Sequence, residues 1–482
     1  MGAGKQGREL FQLKKNKLNQ VVKPETSLAS EPRDDYTQPL GAIEDPPENW
    51  VKRIKYLGPS VVISATIVGS GEIVLTASLG AAVGYGMLWW VLMSCWSKSI
   101  LQAELARYVV LSGDTYLRAL NRAPGKITGP RGPFAWTIGL GIVAFIAGLT
   151  GLGGLIGGAG QAVVLVFPEL NPIWTVAGLA VATAVFLASG SYHRLEKVML
   201  AMVVVFTLMT MVSAGLMQTT EYATRLSDIA SGFTFEFHVE YAVLALAAYG
   251  YTGVNAGEIS TYQYWCVEKG YPGRIGPYED TPEWRTRALG WLQVLRTDVW
   301  ITLGILTLAT IPFYFLGAGV LHKMGVTPEG ADMITALSSM FTETLGIWSL
   351  WLFAIGAFAI LYSSSMAAVA GGGRFIPEYL MELGYLNRTQ LHVRQRIIKI
   401  YALIAPFIGL LLYAGFQRPV LLVTIAASIA AVMLPIQSGM TLYLHKRLPV
   451  DLRPKPLAQR FLQLTFVFHA VMASLVLYFV VL

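Results

Sequence analysis

The chain has 482 residues, of which 54% are hydrophobic and only 13% charged, with a mean hydropathy of +0.53. Soluble domains carry about 25% charged residues, and a soluble fold has no means of hiding so much apolar surface behind so little polar skin. The formal net charge of +7 is gathered in the N-terminal segment and a few loops rather than on one face, which excludes nucleic-acid binding as the main role. Cys95 and Cys266 both fall in apolar stretches and cannot frame a secreted disulfide scaffold. The chain reads as an all-α integral membrane protein with a lipid bilayer as its surroundings.

Residues 1–56 are polar, rich in both charge signs and free of a signal-peptide pattern; they are expected to form a disordered cytoplasmic arm. Windows of about 20 apolar residues then mark membrane spans. Eleven are expected, at 57–84, 86–112, 134–166, 173–190, 195–218, 238–267, 291–318, 345–373, 397–416, 419–443 and 461–482. The third carries the glycine cluster GLTGLGGLIGGAG (148–160), which suits close helix packing in lipid. PEWRTRALGWLQVLRTDVW (282–300) reads either as an amphipathic helix at the interface or as an extension of the seventh span.

Lysine and arginine placement sets the orientation. The N-terminal arm and alternate loops hold 31 of these residues; the opposite loops hold only Arg225, Lys323 and Arg418. The positive-inside rule puts the N-terminus in the cytoplasm, and eleven spans put the C-terminus outside. Short loops suit a bacterial inner membrane. Trp89, Trp90, Trp348 and Trp351 are expected as interfacial anchors, and Glu104 and Arg107, one turn apart, as a structural pair.

Two spans carry a chemical interruption. The first contains GSGEI (69–73) and the sixth NAGEI (255–259). Glycine weakens a helix, and backbone unwound at mid-depth is tolerated only where it meets a cavity or a ligand. A carboxylate there is expensive unless paired or functional. The interruptions lie five spans apart, so the second half is inverted relative to the first. This is the 5+5 inverted-repeat architecture of LeuT-type transporters, with helices 1 and 6 broken. Repeat one spans about 57–218 and repeat two about 238–443 of a core at 57–443; a loop and the eleventh helix follow at 444–482. Glu72 and Glu258 are candidate site residues, with structural partnering as the rival reading. Lys98, mid-way along the second span, must meet a carboxylate, a cavity or an anionic substrate group.

From about Gly58 to Pro435 the residues resemble the Nramp divalent-metal transporters. GPSVVISATIVGSGE (58–72) is similar to that family's first helix, with GSGE where the family has DPGN. QAELARYVVLSG (102–113), YHRLEKVMLAMV (192–203) and LFAIGAFAILYSSSMAAVAGG (352–372) are similar to its second, fifth and eighth helices. The resemblance implies the fold and transport. The site positions depart from the family: Gly69 and Glu72 replace its metal-binding Asp and Asn, and NAGE (255–258) replaces MPHN. Gly151 and Gly154 stand where it has proton-pathway acids, and Ala427 where it has a glutamine.

Losing a thioether and gaining carboxylates shifts preference toward hard cations. Glu72, Asn255 and Glu258, with carbonyls freed near Val68 and Gly253, are the expected metal cage; Gly69, Ser70 and Lys98 complete the expected substrate site. The leading expectation is a secondary-active transporter of Mg²⁺, Ca²⁺ or Mn²⁺ working by alternating access. The alternatives are a carrier of a small organic solute such as an amino acid, and a non-transporting sensor. The divalent cation is substrate rather than cofactor, and H⁺ or Na⁺ is the candidate coupling ion. Ser363, Ser364 and Ser365 are expected either to line the pathway, with a role in Na⁺ binding, or to pack between helices. No Walker motif points to an ATP-binding subunit, no catalytic constellation is visible, and the six histidines lack metal-ligand spacing.

Overall fold

The computed structural model describes residues 34–39, 41–57, 59, 71–189, 192–328 and 333–481. Val68, Gly69 and Ser70, and with them most of the first expected span, lie outside the described residues. Its described part opens as a π-helical turn at Gly71–Thr76 that runs into α1 (Ala77–Val83).

The longer helices that follow are α2 (Leu88–Ser112), α3 (Trp136–Val166), α4 (Pro172–Ser189), α5 (Tyr192–Leu216), α6 (Ala242–Tyr251), α7 (Ala256–Glu268), α8 (Pro282–Leu316), α9 (Ser349–Gly372), α10 (Leu391–Phe416), α11 (Pro419–His445) and α12 (Pro456–Val476). They occupy the segments expected from hydropathy, and six helical stretches among the described residues are long and apolar enough to cross a membrane. Prolines at the first turns of α8, α11 and α12 sit where a missing N–H is harmless. The Thr281 hydroxyl accepts from Trp284 N–H and caps α8. Because α8 starts at Pro282, the arginine-rich stretch before the seventh span is an extension of that helix. The loop after α2 folds into a two-stranded antiparallel hairpin, Lys126–Gly129 with Gly132–Ala135.

The helices fall into two packed groups. The π-turn, α1, α2, α6, α7 and α8 contact one another; α3, α4, α9 and α10 form a second group, and α11 touches both. The glycines of α3 permit close approach to α11 and to α10. A Cβ at Gly154 would stand 2.5 Å from Val423 and one at Gly157 2.2 Å from the Tyr413 ring. The expected pairing of Glu104 with Arg107 is present at 2.8 Å.

Two expectations need correction. Trp90 is buried, and its indole N–H donates to the Ala245 carbonyl at 2.7 Å; it joins α2 to α6 rather than marking the interface, whereas Trp348 and Trp351 are exposed. Residues 34–39 and 41–57, the described part of the segment expected from its polarity to be disordered, form a strap across the ends of both helix groups. The Asp34 carboxylate meets Arg388 at 3.1 Å. The Tyr36 hydroxyl donates to Glu268, and the Arg394 guanidinium lies 3.6 Å from the Tyr36 ring centroid. Burial, then the nearby Glu268 charge, push the Tyr36 phenol well above its usual range, so it remains a donor. Further along, Trp291 donates to the Glu44 carbonyl and Glu44 pairs with Arg274 at 2.9 Å. Polar residues order here because their partners sit on folded helix ends, a pairing that local hydropathy does not encode.

Candidate functional site

The sixth span is broken as the sequence suggests. The α6 helix ends at Tyr251, residues 252–255 leave helical geometry, and α7 begins at Ala256. Gly253 takes φ +72°, and a Cβ there would lie 3.0 Å from Cys95 Cα, so both the backbone turn and the close approach of α2 call for glycine. Such a break exposes carbonyls at the end of α6 and amides at the start of α7.

Side chains answer both ends. The Lys98 ammonium donates to the Tyr249 carbonyl at 2.7 Å and, in a shorter contact, to the Thr252 carbonyl. The Ser94 hydroxyl, one turn earlier on α2, bonds the same two carbonyls at 3.0 and 2.8 Å. Lys98 is fully buried, with its hydrogen bonds directed to backbone oxygens rather than to the expected carboxylates. Gly253 N–H donates to Glu72 Oε1 at 3.0 Å, and the Thr310 hydroxyl donates to the same oxygen at 3.3 Å. The Thr76 and Thr252 hydroxyls meet at 2.7 Å. Glu72 is fully buried and fastens the first span's π-turn to the break in the sixth.

Glu258 is held by a different arrangement. Its Oε2 accepts from Asn255 N–H at 2.8 Å, while Asn255 Oδ1 accepts from Glu258 N–H at 3.0 Å. This reciprocal capping box satisfies two amides at the start of α7. The Asn255–Glu258 pair lines a cavity of about 230 Å³ between the two helix groups, extending toward Phe375 and Tyr379. Neither Glu72 nor Lys98 belongs to the cavity wall, so the structure separates the expected cage: Asn255 and Glu258 face the cavity, while Glu72, Lys98 and Gly253 seal the break.

Glu258 is the only charged side chain among the described residues lining this cavity. Around it stand neutral oxygens from Ser260, Thr261, Ser364, Tyr116 and Gln437, one thioether from Met433, and aromatic rings including Phe145, Trp265 and Tyr401. Ser364 thus lines the cavity, whereas Ser363 and Ser365 bond to carbonyls of their own helix. Gln437 Nε2 lies 2.9 Å from the Tyr116 hydroxyl, the Ala256 carbonyl and the Ser260 hydroxyl. Its Oε1 is buried without a partner among the described residues. Sequence reasoning missed Gln437, Ser94 and Thr310. The available signals were an isolated amide in an apolar helix, just after Pro435, and a serine one turn from a buried lysine. Among the described residues, no three His, Cys, Asp or Glu side chains converge as a metal-binding group.

Comparison with known proteins places this architecture. The family model described as natural resistance-associated macrophage protein-like matches residues 60–482. An uncharacterized protein of Pasteurella multocida is 21% identical over 334 residues, covering 67% of this chain and 70% of that protein. A mutant of the manganese transporter of Eremococcus coleocola superposes with a TM-score of 0.62 at 14% identity, covering 92% of this chain and 89% of the other. Mhp1, a nucleobase-cation-symport-1 family transporter closed around bromovinylhydantoin, gives a TM-score of 0.53 at 15% identity, over 90% and 92% of the two chains. The helices, the broken sixth span and the family match over nearly the whole chain lead to one statement: this integral membrane protein, which has the LeuT-type transporter fold, belongs to the Nramp family.

Proposed function

We propose that the protein is an alternating-access transporter that carries a hard divalent cation through the cavity beside Glu258. The carrying observation is that, among the described residues, this cavity is lined by one carboxylate, no cationic side chain and several neutral oxygens. Its potential therefore favours a positively charged occupant. Oxygen donors outnumber the single thioether, which suits Mg²⁺, Ca²⁺ or Mn²⁺ better than a soft metal. One carboxylate is a sparse ligand set for a bare ion. The cavity leaves room for several waters beside the ion, and Mg²⁺ keeps much of its hydration when bound. Family membership and the fold shared with a manganese transporter support the same direction.

The volume and the aromatic walls favour a second reading, a small organic solute with a cationic group, held by Glu258 and by cation–π contact with rings such as Trp265. An amino acid's carboxylate would find the α7 N-terminus already occupied by the protein's own capping box. Titration calorimetry on the purified protein separates the readings. Saturable binding of Mg²⁺, Ca²⁺ and Mn²⁺, each competing with the others, supports the divalent reading. Absence of divalent binding together with saturable binding of an amino acid or a small amine would replace it with the second.

A further inference from the structure

The carbonyls at the end of α6 form a cation seat by chemistry. Half-helix C-terminal ends and unwound carbonyls at mid-membrane coordinate ions in transporters built this way, and the helix dipole adds negative potential there. In this chain the Lys98 ammonium occupies that position, bonding to the Tyr249 and Thr252 carbonyls, with Ser94 on the same two oxygens. The Tyr249 ring centroid stands 5.3 Å from Nζ. Across the turn Glu72 accepts from Gly253 N–H. The break is thus balanced by an internal ammonium on its carbonyl side and an internal carboxylate on its amide side.

We infer that Lys98 is a tethered cation that fills the ion seat of the broken sixth helix, so that the break is held without any bound ion. Lys98 is a positioning residue in this account. By fixing the end of α6 it fixes the turn through Gly253 and hence the placement of Asn255 and Glu258 on the cavity. The inference stands independently of which cargo the cavity takes. An ordinary structural lysine and a tethered cation differ in one respect: only the second, when truncated, leaves a seat that a free inorganic cation can enter.

The test uses full-length protein carrying Glu258→Gln, which removes the cavity's own charge, with and without Lys98→Ala or Lys98→Met. Thermal midpoints are read as Na⁺ or K⁺ replaces choline at constant ionic strength. With Lys98 present, the midpoint is expected to stay unchanged across the replacement. With Lys98→Ala it is expected to fall in choline and to recover saturably with the small cation, by roughly 2–4 °C at about 100 mM. Lys98→Met, whose side chain still fills much of the space, is expected to fall and recover less. A small-cation response in the protein that keeps Lys98 would overturn the inference, as would a Lys98→Ala midpoint indifferent to the cation present. If both truncations fail to yield folded protein in choline, extraction in about 100 mM Na⁺ or K⁺ decides: recovery there supports the tethered-cation role, and failure in every salt overturns it.

Discussion

Substituting Glu258 separates what holds α7 from what attracts cargo. Among the described residues the carboxylate has one local task, accepting Asn255 N–H at 2.8 Å within the capping box. Glutamine at this third helical position performs that task as well as glutamate. Glu258→Gln should therefore leave stability within about 0.5 kcal/mol, since only an acceptor's charge changes. Glu258→Ala removes the acceptor and should cost about 0.5–2 kcal/mol, the usual range for a lost helix cap. Binding should order the variants differently. Unit charges about 4 Å apart at an effective dielectric constant of 20 interact by about 4 kcal/mol. For a divalent ion held through one water, about 6 Å from the carboxylate in a hydrated cavity with an effective dielectric constant of about 40, the doubled charge gives about 3 kcal/mol, equivalent to roughly 100-fold in affinity. Both variants should thus lose about 100-fold in Mg²⁺ or Mn²⁺ affinity by calorimetry, while only the alanine variant melts earlier. Wild-type affinity in Glu258→Gln would remove the carboxylate from the cation's surroundings. A melting loss in Glu258→Gln equal to that of Glu258→Ala would refute the capping argument.

Two further outcomes follow from packing at the site's edges. Gly250→Ala would place a Cβ 2.1 Å from the Ala427 carbonyl oxygen, so α6 and α11 must separate; a loss of about 1–3 kcal/mol is expected, visible as a lower midpoint in detergent, and an unchanged midpoint would show that these helices are not so close. Tyr36→Ala removes the hydroxyl bond to Glu268 and the ring beneath Arg394. Limited proteolysis should then cleave within residues 34–46 faster, with the helical core intact, and wild-type cleavage rates would mean that this ring does not hold the strap.

Much of this molecule was written in the order of its residues. Apolar windows located the helices because in lipid every backbone polar group must be satisfied within the segment, so composition alone fixes where a helix runs. Glycine beside glutamate in NAGEI pointed to an interruption in the sixth span, because each is unfavourable there without a purpose; the turn itself is made by Gly253, and Gly257 sits in the first turn of α7. The tertiary structure decided who partners whom. Hydropathy does not distinguish Glu72 from Glu258, although Asn255 three residues before Glu258 gives only the latter a capping pattern; one receives Gly253 N–H across a distance of 181 residues and the other caps its own helix and meets the cavity. Lys98 demanded a partner on energetic grounds, but that partner proved to be backbone on another helix, and carbonyls carry no signature in a sequence. Likewise Gln437 and the strap at residues 34–39 and 41–57 acquire meaning only from surfaces assembled by distant segments. The sequence determined the elements and the costly groups; the fold determined which partners meet those costs and which carboxylate faces the cavity.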